Sequence, residues 1–162
     1  MREINLRIYG VVVPKQSMRV AAIPYIDKRS GEPKALVRPY QTKKVKDYEK
    51  LVRDSALSQI APGTPFLSGA IELRVTIIYA PLKSMSKKDK QFIADGGIIY
   101  KTTQPDLTDN LIKGIADGLQ NICYDNDGKI CKVISGKIFG KESMAVIKLT
   151  EIRDRFDPNS LI

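Results

Sequence analysis

The chain has 162 residues, 43% of them hydrophobic and 28% charged, which suits one soluble domain with a core of its own. Lys and Arg number 27 against 18 Asp and Glu, a net charge of +9 that favours a polyanionic partner. Histidine is absent, which excludes Ser-His-Asp and Cys-His catalysis, histidine metal sites and histidine general bases.

Ile4 to Val13 reads as a strand, with Ile4, Leu6 and Ile8 alternating before a valine run that Pro14 ends. Lys15 to Tyr40 is basic and partly extended, with short strands expected at Arg19 to Ile26 and Leu36 to Arg38 around the Ser30-Gly31 turn. Thr42 fits as N-cap of a helix reaching about Gln59, whose one side carries Val45, Tyr48, Leu51, Val52 and Ser55. Pro62, Gly63 and Pro65 break the chain. Ala70 to Tyr79 is a strand with Ile71, Leu73, Val75 and Ile77 on one face. Ser86 caps a short helix through Ile93, closed by Gly96-Gly97, and Ile98 to Tyr100 looks extended. Thr108 to about Asn121 is the second main helix, with Leu111, Ile112, Ile115, Leu119 and Ile122 on its apolar side. Asp125 to Gly128 forms a turn. Lys129 to Phe139 and Met144 to Ile152 then read as a closing β-hairpin around Gly140-Lys141-Glu142. The expected fold class is α+β (mixed α/β): one small mixed sheet with two main helices packed on it. Residues 1–153 form a single domain, and 154–162 a polar tail.

No apolar run approaches the roughly 20 residues of a membrane span, and Met1 to Pro14 lacks the continuous apolar core of a signal peptide. Cys123 and Cys131 suit a reducing compartment and cannot complete a structural zinc site. The expectation is a cytoplasmic protein without a membrane role. No Walker A, Gly-x-Gly-x-x-Gly or Ser-x-x-Lys motif is present, so no nucleotide cofactor is expected. Hydrolytic chemistry would have to run on carboxylates, lysine, metal and water.

Gln104 to Ile130 concentrates residues of that kind. Asp106, Asp109, Asn110 and Lys113 stand at the start of the second helix, and Asp125, Asn126 and Asp127 follow on a glycine turn. Asp109, Lys113 and Asp117 are spaced by four, which also fits a solvated ladder of helix pairs. Asp109 by itself is explained by the helix dipole, and Asx residues before Gly128 by an ordinary turn. The same geometry serves chemistry. Asp109 and Lys113 share a face near a helix N-terminus, where phosphate is favoured, and hard cations such as Mg²⁺ take carboxylate oxygens. A calcium loop fails on register, since Cys123 and Ile134 would occupy ligand positions. The density of cations from Lys15 to Lys50, with Tyr25 and Tyr40 among them, fits a surface that tracks phosphates. Lys83 to Lys90 reads instead as a solvated helix face.

These residues resemble the RusA-type Holliday-junction resolvases, endodeoxyribonucleases often carried by phages and prophages. Gly10 to Arg19 is similar to the family's opening strand and Pro-x-x-Lys-x-x-Arg-like segment, and Tyr40 to Leu51 to its first helix. Gln104 to Lys137 carries most of the likeness: QPDLTDNLIKGIADGL, then a YDNDGKI turn and a strand. The family pattern is Pro-Asp-x-Asp-Asn-Leu-x-Lys, an acid four residues beyond the lysine, then Asp-Asp-x-Gln-Ile/Val. The resemblance implies that Asp106, Asp109 and Asp127 hold Mg²⁺, with Mn²⁺ as a substitute, and that Lys113 is the catalytic lysine. It implies Asn110 and Asp117 as supporting residues, Asp117 orienting Lys113, and DNA contacts from Lys15, Arg19, Lys129 and Lys137. It also implies a homodimer that nicks four-way DNA junctions in paired, symmetric fashion during recombination and repair. Two departures stand out. Leu107 and Thr108 separate Asp106 from Asp109 where the family has one residue, so a bulge is expected there, and Asn126 and Lys129 replace the family's second acid and glutamine. The rival reading is a non-catalytic junction-binding protein in which the basic arm binds DNA and the acids are caps and turns.

Overall fold

The computed structural model describes residues 2–15, 19–107, 111–153 and 155. In chain order its elements are β1 (Glu3–Tyr9), β2 (Arg19–Ile26), β3 (Pro33–Tyr40), α1 (Lys43–Gln59), β4 (Ala70–Tyr79), α2 (Lys87–Ala94), β5 (Ile99–Tyr100), α3 (Ile112–Leu119), β6 (Ile130–Phe139) and β7 (Met144–Ile152). The expected α+β class is what forms: a five-stranded sheet in the order β1-β7-β4-β6-β5, and a separate two-stranded sheet of β2 and β3. The larger sheet is mixed, because β4 and β6 run parallel while its other neighbours are antiparallel.

The closing hairpin is the main correction to the expected topology. β6 and β7 are consecutive, yet β4 lies between them and pairs with both. Alternation identifies a strand but not its neighbour. The Gly140-Lys141-Glu142 turn bridges over the end of β4, where Gly140 N–H donates to the Tyr79 carbonyl at 3.0 Å. Ala80 N–H donates to Ser143 Oγ at 2.9 Å on the same crossing.

Register sets the faces. Ile4, Leu6 and Ile8 of β1 align with Leu149, Ile147 and Ala145 of β7, and these with Leu73, Val75 and Ile77 of β4. That face packs against Tyr48, Val52 and Ala56 of α1 and Ile115 and Leu119 of α3 to make the core. The same face continues onto β6 as Val133, Ser135, Lys137 and Phe139. There the cover runs out: Val133 is exposed, and Ser135 and Lys137 are half-buried. The helices therefore roof β1, β7 and β4 and leave β6 open.

Thr42 is the residue before α1, as expected, but its hydroxyl does not cap the helix. Ser86 does cap α2, its side chain accepting from Asp89 N–H at 3.0 Å. Among the described residues no helix is long and apolar enough to cross a membrane.

β2 and β3 form an arm whose described side chains are almost all exposed. Ala21–Arg38, Ile23–Leu36 and Tyr25–Lys34 pair across one face, with Tyr40 at its end. The other face, carrying Val20, Ala22, Pro24, Ile26, Pro33, Ala35 and Val37, holds no charge. Prolines cannot donate to a ladder, so Pro24 and Pro33 turn a donor-free edge outward and discourage strand addition.

α1 and α3 approach closely at Gly118. A β-carbon at Gly118 would stand 2.7 Å from Val52 Cβ and Cγ1 and 3.3 Å from the Glu49 carbonyl oxygen. Gly118→Ala is expected to destabilise the protein despite alanine's helix preference. Overpacking costs about 1–3 kcal/mol, while propensity returns no more than about 1 kcal/mol. Thermal unfolding followed by circular dichroism checks this, and a raised midpoint would contradict the close packing.

Candidate active site

α3 presents its charged residues on the side away from the core. Ile112, Gly114, Ile115, Ala116, Gly118 and Leu119 are buried, whereas Lys113 is exposed and Asp117 half-buried. The second helix was expected from Thr108, with Asp109 and Asn110 in its first turn; these residues lie outside the described ones, as does the side chain of Arg19. Asp117 does not take up the expected role beside Lys113. Its carboxylate accepts from Lys15, which also donates to Glu49 at 2.7 Å. Burial works against the Lys15 ammonium, but its two carboxylate partners outweigh that, and its pKa stands above the ordinary lysine value. Lys15, expected at DNA, is thus the cation of a half-buried cluster joining α1, α3 and the segment after β1.

The turn after α3 is built by local chemistry. Asn121 adopts a left-handed φ of 63°, a conformation asparagine tolerates at a helix end. Its N–H donates to the Tyr124 carbonyl at 2.7 Å. Tyr124 is fully buried and its hydroxyl donates to the Ala116 carbonyl at 2.7 Å, tying the turn to the middle of α3. Burial raises the pKa of this phenol, and the neighbouring Cys123, Asp127 and Asp117 push it the same way. Asn126 Oδ1 accepts from Gly128 N–H at 2.8 Å, and Asp125 pairs with Lys129 at 2.7 Å. Asp127 is exposed, without a place in those local bonds.

Asp106 arrives from the other side of α3. It is exposed, and its Oδ1 accepts from Gln104 Nε2 at 2.9 Å. The loop carrying it is fastened to the open part of the sheet. Lys137 Nζ donates to the carbonyls of Thr103 and Pro105, both at 2.7 Å. Lys137 was expected to contact DNA, and two of its donors are used within the protein. Lys101, which sequence reasoning did not single out, lies beside it: its N–H donates to the Lys137 carbonyl at 3.0 Å and its Nζ to Thr103 Oγ1 at 2.5 Å. Its place two residues after Ile99, on the alternating inward face, was the available signal. Asp106 is thus fastened through Pro105 to Lys137, while Asp127 stands in the turn that leads into Ile130 at the start of β6. Among the described residues no three Cys, Asp or Glu side chains gather around one point. Asp109, the third carboxylate of the expected site, lies outside the described residues.

A family model described as Endodeoxyribonuclease RusA matches residues 17–150. The chain belongs to the RusA endodeoxyribonuclease family. It is also 30% identical over 132 residues to the uncharacterized protein YqaN of Bacillus subtilis (strain 168), an alignment covering 75% of this chain and 88% of that protein. The RusA match spans the arm, α1, α3, the Asp127 turn and β6, so the candidate residues other than Lys15 lie inside it. DNA-strand cleavage is the activity of this family, and with no histidine the acids and lysines just described are the groups available for it.

The Lys15 cluster makes a separate prediction for this RusA-family chain. Lys15→Met leaves Glu49 and Asp117 without the cation that pairs them. It should lower stability by about 1–3 kcal/mol, the range for losing charged hydrogen bonds, while leaving the salt dependence of DNA binding unchanged. Chemical denaturation and binding at several salt concentrations measure the two effects, and a flattened salt dependence would place Lys15 on DNA instead.

Proposed function

We propose that this RusA-family protein is a Mg²⁺-dependent endonuclease that resolves four-way DNA junctions by paired nicks in recombination and repair. The observation that carries the reading is the bracketing of α3 (Ile112–Leu119) in the chain: Asp106 lies upstream of it and Asp127 downstream, while Lys113 stands exposed in its first turn. In this reading Asp106, Asp109 and Asp127 hold the cation. The donor set fits in kind, since carboxylate oxygens without nitrogen or sulfur ligands suit a hard divalent ion. When bound, such an ion neutralises charge on a phosphoryl oxygen and makes water more acidic. Mn²⁺ can substitute, having the same preference for oxygen.

The chain's own groups supply the rest. Lys113 places a positive charge where negative charge grows as the new P–O bond forms and the bridging P–O bond breaks. The start of α3 adds a helix N-terminus, which favours phosphate. The arm supplies reach: on one face Arg38 stands among Tyr25 and Tyr40, a cation for the backbone and rings for exposed bases, while Lys34 beside them pairs with Asp27. Lys28 and Arg29 extend that charge around the turn, where both are exposed. A four-way junction has two-fold symmetry, so two matched nicks call for a homodimer with one site per protomer. The setting consistent with this substrate is the cytoplasm.

Two experiments test the reading. Asp106→Asn, Asp109→Asn and Asp127→Asn should each abolish Mg²⁺-dependent cleavage of a four-way junction while binding persists, because the positive surface remains. Wild-type cleavage by Asp127→Asn alone would remove the turn from the site, and by Asp109→Asn would end the assignment. Arg38→Ala should weaken binding across all DNA sequences and reduce the slope of log K against log salt by about 1. An unchanged slope would take the arm off the DNA.

A further inference from the structure

Lys101 is the one polar or charged residue in the buried class among those described, with 8% of its surface exposed. Burying an ammonium is costly unless the charge is compensated, usually by a carboxylate. Among the described residues neither Lys101 nor Lys137 forms an ion pair. Among the described residues the partners of the Lys101 ammonium are neutral. The Lys101 Nζ lies 5.3 Å from the ring centroid of Tyr79 and 5.6 Å from that of Phe139, inside cation–π range. Its remaining recorded contact is the Thr103 hydroxyl. Burial first, and the neighbouring Lys137 charge second, push the Lys101 pKa below its ordinary value. Two like charges side by side, one of them buried, are an expense that the fold has no need of for its core, which lies over β1, β7 and β4.

Among the described residues, their side-chain bonds go to one short loop. Lys101 takes the Thr103 hydroxyl, and Lys137 takes the Thr103 and Pro105 carbonyls. Gln104, between those anchored residues, donates to Asp106. We infer that Lys101 and Lys137 are positioning residues: they grip the Thr103–Pro105 loop from the sheet and so fix the carboxylate of Asp106 for a divalent cation. The inference depends on Asp106 being a cation ligand, as proposed above.

The sign of an effect separates this role from mere proximity. A lysine that is only a nearby charge repels a divalent cation, so replacing it with a neutral residue tightens metal binding. A lysine that holds a ligand's loop in place does the reverse, because the free carboxylate must then be ordered by the metal itself. Losing groups that orient metal ligands typically costs 10–100-fold in affinity.

The test is a titration of the full chain with Mn²⁺, free ion being followed by electron paramagnetic resonance, beside junction binding in chelator and the unfolding midpoint. Lys101→Met and Lys137→Met are each expected to weaken Mn²⁺ binding about tenfold or more while junction binding in chelator persists. Thr103→Val, at an exposed loop position, removes one acceptor without disturbing the sheet, and it should weaken Mn²⁺ binding by a smaller factor. Unchanged or tighter Mn²⁺ binding in folded Lys137→Met and Thr103→Val would overturn the inference. So would normal Mn²⁺ binding with weakened junction binding, which would make the pair a phosphate contact. Absence of Mn²⁺ binding by the wild-type chain would instead overturn the cation reading, and the positioning role with it.

Discussion

The close contact of α1 with α3 at Gly118 governs the rest of the molecule. Because Gly118 has no side chain, Val52 and the Glu49 carbonyl of α1 can press against the α3 backbone. Two helices so close together roof only part of a five-stranded sheet. They bury Leu6, Ile8, Leu73, Val75, Ile147 and Leu149 and stop short of β6. The Lys15 bridge to Glu49 and Asp117 works alongside that contact, clamping the two helices with charge where the glycine brings them together. The open half of the sheet is thus a consequence of core packing, and the candidate site occupies its border.

What borders the open half is polar and fastened. Tyr124 anchors the Asp127 turn to Ala116, and Lys101 and Lys137 anchor the loop that leads to Asp106. Both carboxylates remain exposed while the backbone that carries them is held from the core side. Exposed carboxylates on fixed backbone are what a cation site beside a large polyanion needs, since the substrate has to reach the metal without a closed pocket. The arm of β2 and β3 differs in kind. It exposes a cationic, aromatic face and an uncharged face, and few of its side chains are sheltered. A two-stranded hairpin is marginal alone in water.

Much of this was legible in the sequence because it is periodic. The alternation of Ile4, Leu6 and Ile8, and of Ile71, Leu73, Val75 and Ile77, named two strands and their buried faces. The helical spacing of Val45, Tyr48 and Val52 named the inner side of α1. What escaped was long-range. The turn at Gly140 has the local chemistry of a hairpin, and nothing near it records that β4 passes between its two strands. The four-residue spacing of Lys113 and Asp117 suits a helix pair, but Lys15, distant in sequence, takes the carboxylate. Lys101 reads as one more surface lysine until Tyr79, Phe139 and Lys137 are brought around it by strand pairing. The spacing of Asp106, Asp109 and Lys113 was informative because it is local, and it pointed to the family that the match over residues 17–150 establishes.

The most direct test of the central claim is cleavage of a labelled four-way junction beside linear duplex of the same sequence, with Mg²⁺ and with chelator. The account predicts paired nicks on the junction, dependent on Mg²⁺ and absent from the duplex. Tight junction binding without any cut would contradict it, and would show that the two residues between Asp106 and Asp109 have cost the site its cation and left a junction-binding protein.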